Sequence, residues 1–255
     1  MRGCDFLIKH VAGLVSISFR PYSVGEIAVA VKESGLSCIE WGSDVHAPYG
    51  DIERLHEIVR LQEENGIYCS SYGTYFRLGV DDASELEDHI NAAKILGTDI
   101  IRLWAGKKKS DDCSDEEKEL LFEQAKIAAE LAEKHNVYFC LECHNNTYTE
   151  TLEGALELMK NVNSEHFGMY WQPNQKYSLE ENIRYAREIA QYVKCVHVFN
   201  WESGEKRPLN EAIQVWKKYL ACFDESKRFL LEFMPDDRIE SLKAESAALF
   251  EILKK

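Results

Sequence analysis

Glu142, His197 and Glu232 are far apart in the chain, yet each is an ionisable side chain set in an apolar run: Cys140-Leu141-Glu142-Cys143-His144, Cys195-Val196-His197-Val198-Phe199 and Leu230-Leu231-Glu232-Phe233-Met234. One such residue is unremarkable. A lone histidine in a strand is more often hydrogen-bonded core than a ligand, and a lone glutamate can pair with a lysine at the sheet–helix boundary. Three at the ends of buried strands are harder to dismiss. Carboxylates sharing a partly dry site stay ionised cheaply only beside a cation. Carboxylate and amide oxygens with one imidazole suit a single Mn²⁺, Mg²⁺ or Zn²⁺ better than metals that prefer thiolates.

Other polar and aromatic residues fall late in similar runs. Glu40 and Trp41 lie in Ile39-Glu40-Trp41, with His46 just beyond. Tyr72, Arg102 and Trp104 belong to the third and fourth runs, and Trp171 and Trp201 follow later. The tryptophans are read as lining a ligand pocket rather than only packing the core. His46 is either a loop residue or a ligand contact. Arg102 needs a buried anion, supplied by Glu40 or Glu142, or else by a substrate. Cys140 and Cys143 form a C-x-x-C, but a separation of three on a strand puts them on opposite faces, so both are read as small core residues.

The elements that must position these residues alternate regularly. Strand candidates are Leu14–Arg20, Cys38–Gly42, Tyr68–Thr74, Asp99–Gly106, Val137–Asn145, Phe167–Asn174, Val193–Asn200 and Arg228–Met234, each followed by a stretch of helical period. Gly35, Gly66 and Gly97 follow helical runs as left-handed caps would, and Ser178 with Glu181 fits a capping box. Strand–helix alternation implies a parallel sheet, and eight units in 255 residues is the size of one (β/α)8 TIM barrel over residues 1–255. The doubly wound alternative lacks its glycine-rich turn, since the first turn reads Arg20-Pro21-Tyr22-Ser23-Val24-Gly25. On a barrel, the C-terminal strand ends converge and carry the chemistry.

With 44 acidic against 30 basic residues the net charge is −14, which argues against a nucleic-acid partner. No run is apolar enough to suggest a membrane span, and the first ten residues lack the pattern of a secretory signal. Eight cysteines are then expected to be reduced thiols in a cytoplasmic protein.

Ile39-Glu40-Trp41-Gly42-Ser43-Asp44-Val45-His46, Leu141-Glu142-Cys143-His144, Val196-His197-Val198 and Leu231-Glu232-Phe233, in that order on strands two, five, seven and eight, resemble the xylose-isomerase-like TIM-barrel superfamily of sugar isomerases and epimerases. The resemblance implies one divalent metal held by Glu142, His197, Glu232 and the strand-six position. There Gln172 stands where the superfamily has Asp, lowering the ligand charge from −3 to −2. A histidine common a few residues later is replaced by Asn174 and Gln175. By the same resemblance, Glu142 and Glu232 would exchange a proton with the carbon next to the carbonyl of a small ketose or sugar phosphate. His144 and Arg207 would support the ligands or touch the substrate. Glu40, Trp41, His46, Tyr72, Arg102, Trp104, Asn174 and Trp201 complete the expected substrate contacts. The loops after strands seven and eight are acidic and poor in glycine, which favours an unphosphorylated sugar. No lysine lies late in a strand, which favours proton transfer over a hydride shift. The competing readings are a keto-cyclitol dehydratase, a non-catalytic sugar-binding barrel and, against the charge, an apurinic-site endonuclease. A homo-oligomer is left open.

Overall fold

A computed structural model describes residues 10–223 and 227–254. The expectation of no signal segment rests on the first ten residues, of which 1–9 lie outside the described residues.

Eight parallel strands close into a barrel in the order β1-β10-β7-β6-β5-β4-β3-β2. They are β1 (Val11–Val15), β2 (Cys38–Gly42), β3 (Tyr68–Leu78), β4 (Ile100–Ala105), β5 (Tyr138–Glu142), β6 (Phe167–Trp171), β7 (Val193–Val198) and β10 (Arg228–Leu231). Helices α1 (Val24–Glu33), α2 (Ile52–Asn65), α3 (Leu86–Leu96), α4 (Asp115–His135), α5 (Leu152–Val162), α6 (Leu179–Ile189), α7 (Ile213–Leu220) and α8 (Leu242–Leu253) follow the strands in turn. This is the TIM barrel that the alternation predicts. An unforeseen two-stranded hairpin, β8 (Trp201–Glu202) with β9 (Glu205–Lys206), follows β7.

Local chemistry sets the boundaries. Ser23–Glu26, Ser114–Glu117 and Ser178–Glu181 each form a reciprocal capping box that satisfies free N–H groups at a helix start. Gly66 and Gly97 end α2 and α3 in left-handed conformation, and Asn136 and Asn163 do the same for α4 and α5. The first strand is Val11–Val15 rather than the expected Leu14–Arg20: it starts three residues earlier, and Ser16–Phe19 of the expected strand coil into a 3-10 turn.

Alternation sorts the strand residues into two cores. Val15, Cys38, Ile100, Cys140, Tyr170, Cys195 and Leu230 fill the base of the lumen. The larger core lies between barrel and helices and includes Cys143, so the two cysteines of the C-x-x-C are on opposite sides of the wall. Among the described residues no helix is long and apolar enough to cross a membrane.

Candidate active site

The C-terminal strand ends surround a cavity of about 280 Å³. Its floor is acidic: Glu142 ends β5, and Glu232 stands one residue past β10, its N–H donating to Val198 O at 2.9 Å. His197 of β7 lies fully buried between them. Its Nδ1 is 3.3 Å from Glu142 Oε1 and 3.4 Å from Glu232 Oε2, and its Nε2 is 3.5 Å from Glu40 Oε2. Arg102 of β4 bridges two carboxylates, with Nη1 on Glu142 Oε2 and Nε 3.3 Å from Glu40 Oε1. Trp104 Nε1 donates to the same Oε2 of Glu142.

Electrostatics hold this cluster together and leave it incomplete. Burial is the largest single influence and would raise the carboxyl pKa of Glu142 and Glu40, but the Arg102 guanidinium and the His197 ring together outweigh it and hold both below the usual carboxylate range. Burial also opposes charge on His197, yet Glu232 and Glu40 outweigh it and raise its pKa well above the usual value. Three buried carboxylates face one guanidinium and, where the ring holds its proton, the His197 imidazolium, which still leaves one negative charge uncompensated. Both ring nitrogens of His197, Glu232 Oε2 and Gln172 Oε1 are buried without a hydrogen bond. Single ligand atoms of Glu142, His197 and Glu232 lie within 4.8 Å of one another. Unpaired carboxylate and amide oxygens and an imidazole nitrogen around uncompensated negative charge fit a divalent cation in donor type, charge and spacing.

Gln172 reaches the cavity from just past β6. Its Nε2 donates to Cys143 O at 3.2 Å, and its Oε1 is the unpartnered atom. The walls above are aromatic. Trp104 stacks on His144 with ring centroids 4.5 Å apart, and Trp201 meets Phe233 edge-on. His144 Nδ1 donates to Asn145 O at 2.8 Å.

Several expected contacts belong elsewhere. Trp41 follows inward-facing Glu40 by one residue, so it faces the helices, where its Nε1 donates to Gln62 Oε1 of α2 at 2.9 Å. Tyr72 is outward for the same reason and donates its hydroxyl to Ala47 O at 2.7 Å. Trp171 packs on Trp216 and Tyr219. His46 is a buried loop anchor between Ser16 Oγ and Tyr22 O, its pKa lowered by burial. Asn174 is bound into its own loop by Asn182 and Asn145. Arg207 is half exposed, 3.6 Å from Glu202, and off the cavity wall. Glu40 lies beneath the cavity rather than on it.

Other wall residues escape a reading by strand ends. Arg20 reaches the mouth, held by Asp44 and donating to the Tyr75 hydroxyl at 2.6 Å. Phe233 enters the cavity from a left-handed backbone position, φ 60°, that bulky residues seldom take. The one available signal for Phe233 is its place next to Glu232.

Residues 28–227 match the family described as the xylose isomerase-like TIM barrel. A curated relative, the 3-dehydroshikimate dehydratase of Bacillus anthracis, is 29% identical over 160 residues, covering 58% of this chain and 56% of the relative. The match therefore spans about half of that protein's length. Among solved structures, the probable 3-DHS dehydratase AsbF of Bacillus anthracis aligns with a TM-score of 0.76 at 21% identity, over 94% of this chain and 98% of that one. The D-psicose 3-epimerase of Clostridium cellulolyticum H10, solved with D-tagatose, aligns with a TM-score of 0.67 at 16% identity, over 94% and 97%. At these identities the structural likeness concerns the fold.

Proposed function

The chain belongs to the xylose isomerase-like TIM-barrel family, and on that premise we propose that it is a divalent-metal-dependent isomerase or epimerase that moves a proton next to the carbonyl of a small keto sugar. The observation that carries this is the grouping of Glu142, His197 and Glu232, with ligand atoms within 4.8 Å, on the floor of a cavity of sugar size. A cation held by these three residues and Gln172 would act as a Lewis acid on a substrate carbonyl and its neighbouring hydroxyl. Glu142 and Glu232 take the proton from the adjacent carbon and return one, acting as base and acid. Arg102 keeps Glu142 ionised. Trp104, Trp201, Phe199 and Phe233 exclude water from the carbanionic carbon, while Arg20, Tyr75 and His144 offer donors to hydroxyls.

A second reading is favoured by one observation, that both the curated relative and the AsbF structure are named as dehydratases of 3-dehydroshikimate. A dehydratase of a keto-cyclitol begins with the same proton abstraction and then expels a hydroxyl two carbons from the carbonyl.

Both are tested by incubating Mn²⁺-loaded protein in D₂O with ketohexoses, a 3-keto-glucoside and 3-dehydroshikimate, followed by NMR. Deuterium at the inverted carbon of a ketose supports the epimerase, and an unsaturated product from the cyclitol supports the dehydratase. Full isomerisation without deuterium in the product overturns solvent-exchanging proton transfer.

A further inference from the structure

Beneath the cavity lies a fully buried carboxylate that the proton-transfer reading does not use. Glu40 projects from β2 into the lumen and is absent from the cavity wall, so it meets neither substrate nor solvent. Its Oε2 accepts from Ser71 Oγ at 2.9 Å and lies 3.5 Å from His197 Nε2. Its Oε1 lies 3.3 Å from Arg102 Nε.

Both groups that Glu40 faces turn their other end to the candidate ligands. His197 presents Nδ1 to Glu142 Oε1 and Glu232 Oε2, so Nε2 is the nitrogen left for a supporting partner. Histidines that bind metals commonly hand that second N–H to a carboxylate, which sets the tautomer and the ring's orientation. Arg102 places Nη1 on Glu142 Oε2, where Trp104 Nε1 also donates. Two donors on Oε2 leave Oε1 as the oxygen of Glu142 that faces His197. The sheet makes room for this arrangement at Gly73 of β3. A Cβ there would stand 2.6 Å from Glu40 Oε1 and 3.0 Å from Arg102 Nη2.

We propose that Glu40 is a positioning residue that orients two groups at once, the His197 imidazole directly and the Glu142 carboxylate through Arg102. The proposal rests on the metal-binding reading above. It replaces a substrate contact with a support underneath the ligands.

The test titrates Mn²⁺ calorimetrically into the metal-stripped full chain, comparing wild type, Glu40→Gln and Ser71→Ala, with thermal unfolding of each recorded alongside. Glu40→Gln keeps the side chain's shape and removes the charge. It is expected to weaken Mn²⁺ binding by roughly 10–100-fold and, on an accepted ketose with saturating Mn²⁺, to lower kcat with KM little changed. Ser71→Ala frees one oxygen of Glu40 and should weaken Mn²⁺ binding in the same direction by a smaller factor. A folded Glu40→Gln protein that binds Mn²⁺ with wild-type affinity overturns the proposal. If Glu40→Gln does not fold, wild-type affinity in Ser71→Ala overturns it. Wild-type protein that takes up no Mn²⁺ overturns the metal-binding reading itself, an outcome distinct from unchanged variants of a binding wild type.

Discussion

Gln172 is the residue at which this chain departs from the charge expected of its site. Its Nε2 is tied to Cys143 O, which leaves Oε1 as a dipolar rather than charged donor at the cavity. Gln172→Asp restores a negative charge beside the cation position and should tighten Mn²⁺ binding by about tenfold or more, since the added attraction acts over a short distance at low dielectric. Calorimetric titration of the two proteins checks this, and unchanged affinity would mean that Gln172 is not a ligand. His89 of α3 carries a different consequence. It is buried against Tyr49, Tyr72 and Phe76, its Nδ1 has no hydrogen bond, and burial pushes its pKa down to about 4. Between about 6.5 and 4 the unfolded chain binds this proton and the folded chain does not. Stability from His89 is therefore full above pH 6.5, falls as the pH drops and levels off below 4, a loss of roughly 3 kcal/mol. Denaturant melts of His89→Phe across that range should show a shallower fall than wild type. At this scale the sequence was partly legible. Period-two alternation singles out Glu40, Glu142 and His197 as inward. The same alternation turns Trp41 outward beside Glu40, and Tyr72 outward beside Ser71 and Gly73, against the expectation that both touch substrate.

At the scale of elements, the strands place the floor of the site and the irregular segments place its walls. The loop after β6 shows how such a segment is held. Asn182, on the second turn of α6, donates its Nδ2 to the carbonyls of Asn174, Tyr177 and Ser178 and accepts from Asn174 N–H at 2.8 Å. This one buried amide staples the chain that follows Gln172. Asn182→Ala takes the amide from the Asn174 N–H and the Tyr177 carbonyl, while Asn174 O and Ser178 O keep their backbone partners, and should cost about 2 kcal/mol of stability. Chemical denaturation checks the cost, and a change under about 0.5 kcal/mol, the scatter of surface substitutions, would contradict it. Sequence periodicity reads regular elements well because strands and helices repeat. It does not read Arg20, brought to the mouth by a 3-10 turn where a strand was expected, nor Tyr75, which lies within the irregular register of β3 between Gly73 and Arg77, just beyond the expected strand end at Thr74. Phe233 depends on a left-handed turn that no composition signal marks.

For the whole molecule, closing eight short strands brings side chains from opposite ends of the chain to one spot. Glu40 and Glu232 are 192 positions apart in sequence, yet both lie within 3.5 Å of the ring nitrogens of His197. The order of strand and helix was enough to read the closed barrel, and with it the convergence of Glu142, His197 and Glu232. It did not reveal which neighbours lie under the site rather than in it, because that depends on depth along the lumen. If this convergence is a metal centre, a cation must sit between the three side chains. Anomalous diffraction from a crystal soaked in Mn²⁺ tests it most directly. One strong peak is expected within about 2.0–2.4 Å of Glu142, His197 and Glu232, with Gln172 Oε1 as a further ligand. A saturated crystal with no peak between these side chains would contradict it.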